Sequence, residues 1–134
     1  MSKISMFKVT TPIREILMEN PDIMSLVDPN DPNDPDDKGI YPLIAPKDTK
    51  GDFIIYQRDE YGREHNKMGI YNENCHVYVN AISENYDRSK ELAFQIDKSL
   101  AGFHSDPTME IQLIDSTEEF EDGKYIQILL FKIK

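Results

Sequence analysis

Residues 28–39 read DPNDPNDPDDKG, and no regular element can run through them. Asp28-Pro29, Asp31-Pro32 and Asp34-Pro35 place a proline at every third position. Each proline lacks the N–H a sheet needs and pushes the residue before it out of the helical region. The five aspartates of the stretch also repel one another. The segment is expected to be an exposed, extended loop, too short to separate two domains. It splits the chain into two parts with different patterns.

The part before the loop reads as helical. Thr10 or Thr11 can cap a helix, and Pro12 suits the first helical position, where its missing N–H costs nothing. Ile13, Ile16 and Leu17 then fall on one helical face. Asn20 and Pro21 repeat the start signal, with Asp22 at the positive helix end. Ile23, Met24, Leu26 and Val27 supply a short second helix.

The part after the loop reads as strands around one helix. Ile40 to Ile44 is a short extended piece, marked as an edge or a strand entry by Pro42. Asp52 to Arg58 is a strand, and the polar span Asp59 to Lys67 follows as a hairpin tip, with Gly62 as its turn signal. Tyr71 to Ile82 is a long strand. Cys75, Val77, Val79 and Ala81 share one face; His76, Tyr78, Asn80 and Ile82 share the other. Ser83 or Asn85 can cap the next helix, whose buried stripe is Leu92, Ala93, Ile96 and Leu100, with Gly102 as its stop. Met109 to Ile114 is a strand. Asp122-Gly123 marks a hairpin turn, and Tyr125 to Ile133, apolar on both faces, is expected to be well covered. The order α-α-β-β-β-α-β-β predicts one α+β two-layer domain over residues 1–134. Its sheet is mostly antiparallel, of about four to five strands, with helices on one face.

Composition narrows the function. The 134 residues suit one domain, and the net charge of −10 argues against a general nucleic-acid binder, which needs a basic surface. One cysteine, Cys75, excludes an internal disulfide framework and a multi-cysteine zinc site. No apolar run is long enough to span a bilayer, so no membrane role is expected. The start MSKISMFKVTTP lacks an apolar signal core, and a cytosolic, reducing location is the expectation.

Motifs for chemistry are absent. An EF-hand frame starting at Asp34 puts Asp36 at position 3 and Gly39 at position 6, but Lys38 at position 5 and Ala45 where a bidentate Glu is needed. Cys75 and His76 are neighbours on a strand, so they point to opposite faces and cannot act as nucleophile and base. His65 and His104 fall in expected loops without ligand spacing. The acids Asp115, Glu118, Glu119, Glu121 and Asp122 cluster at a turn and read as a solubilising surface. No glycine-rich phosphate loop exists, and a hydrolase or isomerase built on His65 or His76 has no supporting motif. The reading is a non-enzyme with no cofactor and no metal.

Two segments are left as candidate contact surfaces. One is the acidic loop, with Asp31, Asp34, Asp36 and Asp37. The other is the mixed span around Arg58, Tyr61, Arg63, His65 and Lys67, basic residues in an acidic chain.

The assembled pattern resembles the tail completion, or tail terminator, proteins of long-tailed bacteriophages and prophages. The residues that carry the resemblance are Ile23 to Val27, Gly39-Ile40-Tyr41-Pro42, Ala45-Pro46, the strand Phe53 to Arg58, the strand Cys75 to Ala81, the helix Ser89 to Gly102 and the last strand Tyr125 to Lys132. The departure is the Asp-Pro insertion, where relatives have a short glycine-containing turn. The resemblance implies a structural subunit, a ring homo-oligomer, commonly six-fold, at the head-proximal end of the tail. Its implied partners are further copies of itself, the tail-tube protein and the head–tail connector. Its implied place is the bacterial host cytoplasm during assembly and then the virion tail. An acidic channel wall would keep passing DNA from sticking. The competing reading is an acidic DNA mimic or other inhibitor module, motivated by the charge. Against it, the acids gather in two loops and are not spaced like phosphates.

Overall fold

A computed structural model describes residues 5–65, 71–105 and 107–134; the side chains of residues 64, 65 and 71–73 lie outside the description. A 3-10 turn at Met6–Lys8 leads into helix α1, Thr10–Glu19, and helix α2, Pro21–Leu26. The Asp-Pro segment then enters strand β1, Ile40–Pro42. Strands β2, Phe53–His65, and β3, Tyr71–Ser83, follow. Helix α3, Tyr86–Leu100, precedes strands β4, Gly102–Ser105, β5, Thr108–Glu121, and β6, Lys124–Ile133.

The six strands form one sheet in the order β1-β2-β3-β6-β5-β4. All neighbours are antiparallel except β1 and β2, which run parallel, Tyr41 opposite Ile55. The α+β reading holds, but the sheet has six strands, not four to five. The extra one is β4. Gly102, at φ +117, ends α3 and turns the chain directly into it, a conformation open to glycine. Sequence reading took that glycine only as a stop.

The helices cover one face of the sheet. Cys75, Val77, Val79 and Ala81 are fully buried there, beside Leu129, Phe131 and Ile133 of β6. Ile13 and Leu17 of α1, Ile23 of α2 and Leu92, Ile96 and Leu100 of α3 close over them. Each of these large side chains, buried whole, contributes about 1.5–3 kcal/mol. The expected stripe of α3 and the two-face division of β3 are therefore as read. Cys75 is buried and His76 lies on the opposite face, half-buried.

The helix caps divide. Asn20 and Asn85 cap α2 and α3, accepting from the amides of Asp22 and Arg88. Neither Thr10 nor Thr11 caps α1: the 3-10 turn already supplies a helical approach, and Val9 stands at the cap without a side-chain bond.

Three expectations about the strands are corrected. Asp59 to His65 is not a hairpin tip but the outer half of β2, paired with β3 from Glu60 opposite His76 to His65 opposite Tyr71. Tyr61 packs against the core here, but its neighbours are polar and lack the apolar alternation that marks a strand. Likewise β5 runs to Glu121, well past Ile114, and everything from Ile114 on is exposed. The last strand is covered on one face only: Ile126, Ile128 and Leu130 are half-buried on the face away from the helices. The Asp122-Gly123 turn is as expected, both residues at positive φ, 51° and 77°.

Candidate functional site

The Asp-Pro segment is exposed, as read, but it is not extended. Its three-residue period builds successive turns. The amide of Asp34 donates to the Asp31 carbonyl and that of Asp37 to the Asp34 carbonyl, both at 3.1 Å. Within each turn the first aspartate's Oδ1 accepts an amide two residues on, Asn33 for Asp31 at 3.0 Å and Asp36 for Asp34 at 2.9 Å. Proline at the second turn position and aspartate at the first are the residues such turns favour. The local bonds thus outweigh the extension that charge repulsion alone would give.

Asp37 ties the loop shut. Its carboxylate accepts from the amides of Asp31 and Gly39, at 2.9 and 3.1 Å, and from the Tyr41 hydroxyl at 2.7 Å. Burial works against its charge, but these bonds, with a contribution from the Asn30 amide, prevail and hold its carboxyl below the ordinary value. Burial first, and then the Asp37 bond, push the Tyr41 hydroxyl up to about 12. The loop's ends are fixed as well: Asp28 N donates to Asp52 O at 2.8 Å and Ile54 N to Gly39 O at 2.9 Å. Gly39 sits at φ +74, and a Cβ there would stand 2.9 Å from the Asp28 carbonyl oxygen.

Below these ends lies a buried polar knot. Asp52 accepts from Ser83 Oγ at 2.7 Å and from Arg88 Nε at 2.5 Å. Arg88 also donates to the Leu26 carbonyl at 3.1 Å. One carboxylate therefore joins α2, β2, β3 and α3 at the loop's base. Sequence reading missed this set because its members are 62 residues apart in chain at the extreme, Leu26 to Arg88.

The β2–β3 arm sorts its charges by face. A bulge between Arg58 and Glu60 adds one residue and shifts the alternation. Asp59 and Glu60 gather with His76 on the side away from the helices, their ligand atoms within 4.8 Å of one another and His76 Nδ1 3.5 Å from Glu60 Oε2. On the helix side Arg58, Phe7, Tyr61 and Arg63 form a stack. Arg58 lies 5.2 Å from the Phe7 ring centroid, Phe7 meets Tyr61 edge-on at 4.9 Å, and Arg63 lies 5.6 Å from the Tyr61 ring. Arg63 Nη2 also donates to the Tyr61 hydroxyl at 2.9 Å. Phe7 is 67% exposed.

The predicted residues thus fall into two places. Asp31, Asp34, Asp36 and Asp37 belong to the turn loop; Arg58, Tyr61 and Arg63 belong to the arm. His65 closes the described part of β2 by its backbone, and Lys67 lies outside the described residues. The structure does not bring the two groups together.

A third surface was not foreseen. The open face of the sheet presents Tyr78, Asn80, Ile128 and Leu130 beside Asp115, Thr117 and Glu119, in a shallow cleft. The Asn80 Oδ1 there has no hydrogen-bond partner among the described residues. At the hairpin end, Phe120, Tyr125 and Tyr86 pack at 4.8 and 5.3 Å. Glu118 accepts from Gln127 at 2.7 Å, and that bond, followed by the one from Tyr86, holds its carboxyl below the ordinary range; the Glu118 bond in turn raises the Tyr86 hydroxyl. The clue in sequence was the two-sided apolar pattern of β6, which marks an open apolar face as readily as a covered one.

The fold is shared with a virion chain. The chain is similar to one in the virion of a native gene transfer agent particle, with a TM-score of 0.65 and 11% sequence identity. The match covers 90% of this chain and 89% of that one. At that identity the likeness is one of fold. No protein-family model matches the chain, and no curated protein sequence does. No helix among the described residues is long and apolar enough to cross a membrane. The Asp-Pro loop is exposed, and the outer ends of the β2–β3 and β5–β6 hairpins extend the sheet.

Proposed function

We propose that the chain is a structural, non-enzymatic subunit of a phage-like particle, a tail completion or tail terminator protein. Copies form a ring at the head-proximal end of the tail, joining the tail tube to the head connector. The observation that carries this reading is the end-to-end fold likeness to a gene transfer agent virion chain, which leaves little of either chain unmatched. The sequence resemblance described above points the same way. The arms support it too. Two hairpins and an acidic loop projecting from one rigid body suit a subunit whose work is contact. A ring needs different surfaces on its two sides, because cyclic assemblies of more than two copies close through heterologous contacts. The acids Asp115 and Glu119 on the open sheet face would give a channel wall that repels DNA phosphates.

The test is genetic and structural together. Particles purified from cells carrying the intact gene should contain the chain at the tail–head junction, located by labelled antibody in electron micrographs. Cells lacking the gene should yield tails of irregular length without joined heads. Normal, head-bearing particles in its absence would overturn the proposal.

A further inference from the structure

The arm stack and the Asp-Pro loop are complementary, and one chain cannot join them. Along the stack two aromatics, Phe7 and Tyr61, are flanked by two cations, Arg58 and Arg63. Lys8, exposed on the same 3-10 turn as Phe7, adds a charge. The bulge turns Glu60 to the other face, beside Asp59 and His76, and brings Tyr61 and Arg63 to the face of Arg58. Arg58 and Lys8 thus bring positive charge to this surface on a chain of net charge −10. No carboxylate among the described residues pairs with Arg58.

The Asp-Pro loop carries the opposite pattern, acid and proline in alternation, held rigid by its turns and by Asp37. Prolines pack on exposed aromatic rings, and carboxylates pair with guanidinium groups. A rigid loop loses little entropy when it docks. The loop's own arm is out of reach. Its base is fastened at Asp52, and Arg58 lies six residues further along β2, about 20 Å at strand rise. Its ends are tied and its interior is folded into turns, so it cannot span that distance.

We infer that the Phe7–Arg58–Tyr61–Arg63 surface is the docking site for the Asp-Pro loop of a second copy of this chain. The occupant is a copy because the matching pattern is on the chain itself, and because copies this acidic repel one another everywhere except where cations are exposed. The two surfaces differ and do not overlap, so the contact is heterologous, the kind that closes into a ring. The inference rests on the proposed ring and names the contact that builds it.

A charge swap tests it. Sedimentation equilibrium of the full chain should show concentration-dependent association at low salt that weakens at high salt. Arg58→Glu and Asp36→Lys should each weaken association about tenfold or more. The Arg58→Glu/Asp36→Lys double variant should restore it, and so should an equal mixture of the two single variants. Asp36 is the substitution of choice because its own carboxylate takes no part in the turn bonds, which use Asp31, Asp34 and Asp37. If Arg58→Glu does not fold, Phe7→Ser, at an exposed ring, replaces it and should weaken association without rescue by Asp36→Lys. A wild-type chain that stays monomeric at every concentration, single variants that associate like wild type, or a double variant without recovery would each overturn the inference. A ring that forms at the tail yet ignores the swap would overturn this contact and leave the tail function standing.

Discussion

Arg88 Nε stands 2.5 Å from Asp52 Oδ2, where the ends of α2, α3, β2 and β3 meet. Asp52 is 5% exposed, and Ser83, which donates to its other oxygen, is fully buried. Burying a carboxylate is unfavourable unless hydrogen bonds and a cation compensate, so each partner of this knot is required by the others.

Arg88→Ala should therefore destabilise the fold by about 1–3 kcal/mol, from an unpaired buried charge, less than for a fully buried pair because the guanidinium is half in solvent. Asp52→Asn should cost less than Asp52→Ala, since an amide still accepts from Ser83. Urea melts of the three variants check the order. Equal stabilities would show that the knot contributes nothing.

Acid should release the loop through Asp37. Its carboxyl in the folded chain lies below the ordinary value of 3.8. A depressed carboxyl adds stability that is full above the unfolded value and is lost as pH falls through the folded one. Asp37→Asn should thus lower stability at neutral pH, and its deficit should shrink below about pH 4. A deficit independent of pH would contradict this account. The measurement is a pair of thermal melts across the acid range.

Alkali should act through Tyr41. Its hydroxyl is held protonated up to about 12 by burial and the Asp37 bond. Stability from this group is present below the ordinary tyrosine value of 10.0 and lost as pH rises through the folded one. Ultraviolet titration of wild type against Tyr41→Phe should remove one late-titrating hydroxyl. An unchanged curve would place Tyr41 in water.

Gly123→Ala should cost about 1 kcal/mol or more, because φ there is +77 and an L side chain is strained in that region. Nothing lies within 4 Å of the added Cβ, so the loss would be conformational, not steric. Thermal denaturation would register it, and no change would mean the hairpin turn has another conformation.

How much of this was legible in the sequence depends on what each signal measures. The two faces of β3 were readable because Cys75, Val77, Val79 and Ala81 alternate with polar residues, and one buried face imposes that alternation. The α3 stripe and the Asn20 and Asn85 caps were readable for the same reason: they are local patterns with local causes. The outer halves of β2 and β5 were not readable, because, Tyr61 apart, they bury little apolar surface and carry no alternation. Strand β4 was hidden behind a glycine that ends a helix as well as it begins a strand.

The candidate residues were found one by one, and their arrangement was not. Asp31, Asp34 and Asp36 announce an exposed acidic loop by their proline neighbours, and composition sufficed for that. That the loop folds into turns closed by Asp37 on Tyr41 depends on hydrogen bonds that no charge count contains. That Phe7 joins Arg58 and Tyr61 depends on packing residues 51 and 54 positions apart, and the bulge that sends Glu60 to the opposite face leaves no trace in spacing. The sequence by itself determined the helical start, the α+β class, the buried face and the acidic loop, because each follows from neighbours along the chain. Only the tertiary structure decided the six-stranded order, the open sheet face and the separation of acidic loop from cationic arm, because those are set by which distant segments the core draws together.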